Sequence, residues 1–328
     1  MWLLGKGMRA ALEAQSRGVN PPAEEVLVDT VFGWIKRAWT GVDVPGGNPF
    51  VAGRQGNNKV VAVRALGCKK ELSPTEKPPN LMLAQANLTG VSCPIVWIGS
   101  REVAGRWASM ALAAGGDGIR RVLGLKEGSV REWDVAEGLL LDLASRGLDA
   151  GADRLIITEG SRTLDRALGQ VWSGRVKVAH CLFRLHDDVV GHFPEAIQEQ
   201  RSKELMYAWS LPLVEATTLL REFVGRWSSE APGAVERLER SLDASLMVAR
   251  LGVGSPLKER LESAGTLQMA FKKAVRWTVA GSGRPTLSVD PAWLRKTRRL
   301  AGWHGLDLLA HALRTLSKEP RNNPAPKA

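Results

Sequence analysis

The chain of 328 residues is 44% apolar, which is enough for one large globular domain or two ordinary ones with a substantial buried core. Its three cysteines, Cys68, Cys93 and Cys181, lie too far apart in the sequence for a disulfide framework or a closed four-ligand zinc site. We therefore expect a globular protein in a reducing, cytoplasmic location.

The formal charge of +11 is concentrated near the end of the chain. From Lys258 to Ala328 there are 14 Lys and Arg residues against 5 Asp and Glu residues, a surplus of nine positive charges. This asymmetry predicts a polyanionic partner. The alternative is a generally basic surface whose charges face solvent.

Two stretches have some features of a targeting or membrane segment. The N-terminal "MWLLGKGMRAALEAQ" is interrupted by Lys6 and Arg9 before a secretory core of useful length can form, so no signal peptide is predicted. Leu81 to Ser100 carries no charge, but polar residues and Pro94 interrupt it, whereas a membrane span needs a predominantly apolar segment. We interpret it as a loop entering a buried strand and expect no membrane partner.

Residues 1–80 show no clear pattern of secondary structure. They include a Gly- and Asn-rich stretch, Pro45 to Asn58. They also include a charged, Pro-rich stretch, Cys68 to Asn80, whose composition is typical of a linker. This region is interpreted either as a DNA-binding element or as a vestigial segment.

Residues 81–316 are predicted to form one folded domain. Three apolar runs between Cys93 and Gly128, separated by charged or Gly-rich turns, predict a three-strand meander. The segment "REWDVAEGLLLDLASRG" then has helical periodicity and a stop at Gly147.

The following elements alternate between strand and helix, which predicts a partly parallel sheet. We predict a strand at Leu155 to Thr158, a helix at Leu164 to Trp172 and a strand at Val176 to Ala179. A helical insertion is predicted at about residues 194–257, and the polar, Pro-rich tail 317–328 is predicted to be disordered. This order is typical of a ribonuclease-H-like α/β fold, with a mixed sheet, flanking helices and a helical insertion.

Several segments resemble the Mutator-type transposases of bacterial insertion sequences, among them "LAAGGDGIRRVLGLKEGS", "LIITEGSRTLDRAL", "VKVAHCLFRLHDDVVGHFPE" and "TRRLAGWHGLDLLAHAL". The resemblance runs in order from about Ile95 to Leu313. Members of this family cut and join DNA with an Asp, Asp, Glu triad that binds two divalent metal ions. The resemblance therefore implies double-stranded DNA as a partner and Mg²⁺ as the cofactor of the family.

The resemblance assigns the triad to three positions, of which only one holds an acidic residue in this chain. The first Asp falls on Ile98, the second on Glu159 and the last acid on Gln268. Two Mg²⁺ ions bring four positive charges and need oxygen ligands, but an alkyl side chain cannot ligate a metal and an amide brings no charge. Glu159 is thus expected to be a weak metal ligand, and productive Mg²⁺ binding is not expected.

The resemblance also makes a geometric prediction about two strands. The two Asp residues of the family share metal ions that lie about 3.5–4 Å apart. Val96 to Ile98 and Leu155 to Thr158 are therefore predicted to be neighbouring strands, with Ile98 and Glu159 facing each other across one cleft.

Other groups could replace the missing ligands. Glu102 would lie about 13 Å along its strand from Ile98, and Asp117 matches a turn acid that is common in the family, so we expect local turn hydrogen bonds from Asp117. The Cys-x-x-His signature of the family is altered, because Arg184 stands at that spacing from Cys181. Cys181 and His186 are interpreted as a structural pair, with a metal site as the alternative.

Basic residues interleave with tryptophans in "AFKKAVRW" and "PAWLRKTRRLAGWHGL". Trp277, Trp293 and Trp303 are predicted to be core residues, with base-stacking platforms as the alternative. The predicted phosphate contacts are Lys272, Lys273, Arg295, Lys296, Arg298 and Arg299, and a solvated face is the alternative for the last four.

These observations favour a degenerate transposase that binds DNA without metal-dependent catalysis, as a homo-oligomer or as a mixed oligomer with an intact transposase. Two alternatives stay open. One is an active metal-dependent DNA strand transferase with a rearranged set of acids, and the other is an oligomerisation module that inhibits an intact relative.

Overall fold

The computed structural model describes residues 86–172, 176–279, 285–290 and 299–318, so the predicted N-terminal region 1–80 lies outside the described residues. A five-stranded mixed sheet with helices on both faces forms the centre of the fold, in the strand order β3-β2-β1-β4-β5. Its strands are β1 (Ile95–Val103), β2 (Arg106–Ala114), β3 (Arg120–Glu127), β4 (Arg154–Thr158) and β5 (Val176–His180).

The first three strands form the predicted meander, which is confirmed. β1 pairs with β2 and β2 pairs with β3, both antiparallel. The turn between β1 and β2 consists of Ala104 and Gly105, both at positive φ, 50° and 77°. Two residues with positive φ match the twist of the flanking strands, which explains why a Gly occurs here.

The last two strands run parallel to β1, as the alternation of elements predicts. β1 pairs with β4 in a register that aligns Val96 with Ile156, so the two predicted neighbouring strands are confirmed. β4 in turn pairs with β5. The crossovers contain helices α1 (Trp133–Ser145) and α2 (Arg162–Val171).

Alternating side chains divide the sheet into two buried faces, because successive residues of a strand point to opposite sides. One face holds Val96, Ile98 and Ile156 and packs against apolar residues of α1 and α2. The opposite face holds Trp97 and Ile157 and packs against the C-terminal helices. Each face therefore has its own hydrophobic core.

A third core lies in the helical segment that follows β5. Helices α3 (Leu182–Val190), α4 (Glu195–Ser210), α5 (Leu213–Trp227), α6 (Pro232–Ser245) and α7 (Met247–Arg250) make up this segment. Leu185, Leu205, Leu220, Phe223 and Leu238 are buried together in it. The segment is helical as predicted, whereas the boundaries of the insertion at 194 and 257 stay a prediction.

The chain then returns to the sheet. The remaining elements are α8 (Leu257–Leu261), α9 (Gly265–Ala274), the hairpin β6 (Val275–Val279) and β7 (Pro285–Val289), a 3₁₀ turn (Trp303–Gly305) and α10 (Leu306–Lys318). Residues 317 and 318 of the predicted tail belong to α10, and residues 319–328 lie outside the described residues. Among the described helices, none combines the length and the apolar character of a membrane span.

Candidate functional site

A cleft of about 720 Å³ opens where the parallel strands β1 and β4 end. Its walls come from the ends of β1 and β4, the start of β2, the turn before α1, and helices α2, α3, α6 and α9. Ligand sites of open α/β sheets commonly lie at the carboxyl ends of the strands. This cleft is therefore the candidate site.

Glu159 and Gln268 both line this cleft, as expected for two positions of one site. Glu159 follows β4 and Gln268 lies on α9, 109 positions later in the printed sequence. Gln268 is exposed, whereas Glu159 is half-buried. The fold thus brings these two predicted site residues together.

The prediction that Ile98 faces Glu159 is wrong. Ile98 is fully buried in the core under α1 and α2, on the other side of the sheet. The β1 residue beside Glu159 is Gly99, where an added Cβ atom would lie 3.6 Å from Cγ and Cδ of Glu159. The physical reason is strand alternation, because one step along β1 reverses the side to which a side chain points.

A tight turn holds Glu159 in place. Gly160 has φ +74°, and its backbone N–H donates a hydrogen bond to Thr158 Oγ1 at 3.1 Å. A Cβ atom at position 160 would lie 2.7 Å from a guanidinium nitrogen of Arg237 and 3.1 Å from His180 Nδ1. Ser161 then caps α2 by accepting a hydrogen bond from the backbone N–H of Leu164. A residue without a side chain is therefore required at position 160.

His180 is linked to the same turn through Asp165 and Thr158. Its Nε2 lies 3.1 Å from Asp165 Oδ2, and Thr158 Oγ1 lies 3.4 Å from Asp165 Oδ1. His180 is buried, and Nδ1 has no hydrogen-bond partner in the structure. The pair contacts Thr158, which in turn accepts a hydrogen bond from the backbone of the turn, so we assign the pair a structural role.

The environment of Glu159 disfavours its ionised form. Burial raises the pKa of Glu159, and Asp188 adds to this effect, while the charges of Arg184, Arg131 and Arg101 oppose it. Desolvation thus outweighs the attraction of three guanidinium groups.

Arginines outnumber acids in the cleft. The lining contains Arg101, Arg131, Arg162, Arg184, Arg237 and Arg240, against Glu102, Glu159 and Asp188. Arg237 donates to Asp188 Oδ2 at 3.0 Å, and Arg162 pairs with Glu236. Apart from the position of Arg184 after Cys181, this cluster is not predictable from the sequence. Its members come from separate segments, so no local motif signals them.

The alternative acids do not assemble a metal site. Glu102 and Asp188 line the cleft with Glu159, but Asp188 is paired with Arg237. Asp117 lies elsewhere and accepts from the backbone N–H of Ile119 at 2.9 Å, as predicted for a turn acid. A side-chain hydrogen bond from Arg121 lowers the pKa of Asp117 to about 2.

The residues of the cleft do not fit a pair of Mg²⁺ ions. The described residues contain no group of three or more His, Cys, Asp or Glu side chains that could hold a metal ion. Of the three lining carboxylates, Asp188 is paired with Arg237 and Glu159 lies near three guanidinium groups, which leaves too little negative charge for two divalent ions. We therefore derive no catalytic step through a metal in this cleft.

Cys181 and His186 each have separate partners. Cys181 is buried, and its Sγ accepts a hydrogen bond from the backbone N–H of Ala264 at 3.1 Å. His186 contacts Asp187 Oδ1 at 3.0 Å and Ser202 Oγ at 2.8 Å. These contacts agree with a structural role for each residue, but the two do not form the predicted pair, since each bonds to other residues of the described chain.

The predicted phosphate contacts lie apart from one another. Lys272 and Lys273 are exposed in the last turn of α9, the helix that carries Gln268. Arg299 is exposed and lies 4.7 Å over the ring of Trp303, beside the start of β3 and thus at the end of the sheet opposite the cleft. Arg295, Lys296, Arg298 and Trp293 lie outside the described residues. Trp277 and Trp303 pack partly buried against the core, as predicted.

No family model matches the chain, and no curated protein matches it in a comparison of sequences.

Proposed function

We propose that the chain is a DNA-binding protein with a ribonuclease-H-like domain, related to Mutator-type transposases, and that it does not catalyse metal-dependent strand transfer. The strand order β3-β2-β1-β4-β5, with only β2 antiparallel to its neighbours, is compatible with that fold. The surplus of positive charge supports a polyanionic partner.

The observation that carries the proposal is the lining of the cleft at the ends of β1 and β4. Glu159 and Gln268 share this cleft, which agrees with two positions of a former triad. Gly99, the β1 residue beside Glu159, has no side chain to offer a metal. Because arginines surround the remaining acid, the cleft favours anions over cations.

The proposal is tested with the full chain and a labelled duplex DNA. Fluorescence anisotropy should detect binding, and a gel assay with Mg²⁺ or Mn²⁺ should show neither cleavage nor joined strands. Absence of duplex binding at 50 mM salt would refute the DNA-binding part of the proposal.

The strand-transferase alternative makes the opposite prediction in the gel assay. A metal-dependent product that disappears in Glu159→Ala would establish it, since Glu159 is the acid that a rearranged site would still need. The inhibitory-module alternative requires association with an intact relative without DNA, which size-exclusion chromatography with light scattering would detect. The same measurement on the chain alone tests for a homo-oligomer.

A further inference from the structure

The positive charge of the cleft is only partly neutralised by the protein. Four of the lining arginines, Arg101, Arg131, Arg184 and Arg240, form no ion pair with the residues that the structure describes. Arg101, Arg131 and Arg240 are exposed, and Arg184 is half-buried. These four groups can therefore donate hydrogen bonds to a ligand.

The arginines also lie close enough to influence one another and the remaining acid. Burial lowers the pKa of Arg240, and the like charges of Arg237 and Arg162 lower it further. The charges of Arg184, Arg131 and Arg101 act on Glu159. Crowded like charges are stabilised when an anion binds among them.

An exposed aromatic ring completes the lining. Trp107, at the start of β2, is 45% exposed and lies opposite Glu102 in the register of β1 and β2. By contrast, Trp277 lies under the guanidinium of Arg106 at 4.4 Å. An exposed indole beside arginines is the combination that binds single-stranded nucleic acid, through base stacking and phosphate contacts.

We propose that this arginine cleft binds the phosphate group of a nucleotide without a metal ion, while the indole of Trp107 stacks on the base. Guanidinium groups suit a phosphate because their planar arrays of N–H donors bind its oxygens two at a time. The cleft volume of about 720 Å³ lies within the range that holds small ligands.

Two sources could supply this nucleotide. One is an unpaired strand of DNA, in which case the inference rests on the proposed function. The other is a free nucleotide, which would offer the same phosphate and base. The chemistry of recognition is the same for both, and the experiment separates them.

The test uses the full chain in EDTA, with a fluorescein-labelled single-stranded octanucleotide as the probe and anisotropy as the readout. Unlabelled dAMP should displace the probe at least about tenfold better than deoxyadenosine, which lacks the phosphate. If unlabelled octanucleotide displaces the probe at concentrations at which dAMP has no effect, the ligand is a strand. If the octanucleotide and dAMP displace the probe equally well, the ligand is a free nucleotide. A hexaglutamate peptide that displaces the probe as well as dAMP would overturn the proposal.

The variant Arg131→Gln with Arg184→Gln should weaken binding of the octanucleotide about 10- to 100-fold, as expected when two charge-assisted hydrogen-bonding groups are removed. The matched control is Arg221→Gln with Arg314→Gln, which removes the same charge from exposed helical positions outside the cleft lining. If both variants bind equally, the cleft is not the site. Should the cleft variant fail to fold by circular dichroism, Arg101→Gln with Arg240→Gln carries the same test at exposed positions.

Trp107 gives an independent readout. Trp107→Ala should lose about tenfold in affinity for the octanucleotide, and Trp107→Phe should retain most of it, because either ring can stack on a base. Quenching of tryptophan fluorescence by the ligand should be smaller in Trp107→Phe than in the wild-type chain. A requirement for Mg²⁺, or full affinity in Trp107→Ala, would contradict the proposal.

The failure of this inference and that of the proposed function are distinguishable. Loss of duplex binding with retained binding of dAMP in the cleft would refute the proposed function alone. Duplex binding by the wild-type chain, with binding of the octanucleotide that is unaffected in the cleft variant, would refute the inference alone.

Discussion

At the scale of single residues, Glu262 is the acid whose ionisation should matter most for stability. It ends α8, is almost fully buried and lies 3.6 Å from the ammonium group of Lys258. Burial raises the pKa of Glu262 from 4.5 to about 7, although Lys258 opposes this effect. The folded state therefore holds a proton that the unfolded state releases between these two pH values.

The sign of the pH dependence follows from that difference. Above pH 4.5 the unfolded chain binds fewer protons than the folded chain, so the free energy of unfolding falls as the pH rises and levels off above about pH 7. A displacement from 4.5 to about 7 corresponds to about 3 kcal/mol. Glu262→Gln should remove this loss, so the variant should be more stable than the wild type at pH 8 and similar to it at pH 4.5.

Urea unfolding at both pH values measures this effect. Glu222→Gln is the matched control, since it makes the same change at an exposed position of α5 and should leave the pH dependence unchanged. If Glu262→Gln raises the free energy of unfolding equally at pH 4.5 and pH 8, Glu262 is not the titrating group.

At the scale of elements, the side to which a strand residue points decides what a substitution does. Ile98→Asp would bury a carboxylate among apolar side chains of α1 and α2, so we expect it to lower the free energy of unfolding by more than about 3 kcal/mol. Ile98→Val, which keeps the site apolar, should cost only about 1 kcal/mol. Thermal or urea unfolding of the two variants provides the measurement.

Gly99 is the position where an acid would reach the cleft. Its added Cβ atom would lie 2.9 Å from Leu267 Cδ2, a flexible side-chain end, so Gly99→Asp should be tolerated better when combined with Leu267→Ala. Two triple variants can then be compared by titration calorimetry, both with Leu267→Ala and Gln268→Glu. The one that contains Gly99→Asp should bind Mn²⁺ more tightly than the one that contains Ile98→Asp. Equal affinities would mean that the register of β1 does not decide access to the cleft.

Apolar patterns in the sequence were sufficient to predict β1 to β5, the helices between them and the helical segment that follows, whereas the hairpin of β6 and β7 was not predicted. The meander, the parallel strand Leu155 to Thr158 and the helix after it were all predictable in this way. The side of the sheet to which Ile98 points was not predictable. A family motif fixes a position only to within one residue, and a shift of one residue along a strand reverses the side. The arginine cluster was also missed, because only the folded chain brings Arg101 and Arg240 to one cleft.

At the scale of the whole molecule, the charge distribution should make DNA binding depend steeply on salt. Counterion release lowers the affinity by about 0.9 log units per log unit of salt for each phosphate neutralised. Replacing Arg295, Lys296, Arg298 and Arg299 with Ala should therefore flatten the slope and weaken all duplex sequences alike, as expected for contacts that position without specifying. Anisotropy titrations at several salt concentrations test this prediction.

The pair Lys272→Ala and Lys273→Ala tests the other predicted phosphate contacts, which are exposed in the last turn of α9, the helix that lines the cleft. If the quadruple variant keeps the wild-type slope, the cluster is a solvated face.

The separate core of the helical segment implies two cooperative units in one chain. The apolar cluster of α3 to α6 is distinct from the two clusters that cover the sheet. Contacts of α6 with the segment that follows β4 include an ion pair between Arg162 and Glu236 and a hydrogen bond from Arg237 to the backbone carbonyl of Glu159. In native-state hydrogen exchange, amides of α4 to α6 should become exchangeable together, at a lower denaturant concentration than those of β1 and β2. Because α6 forms one wall of the cleft, this opening would remove Arg237 and Arg240 from the site while leaving the wall that contains Glu159 and Trp107 folded.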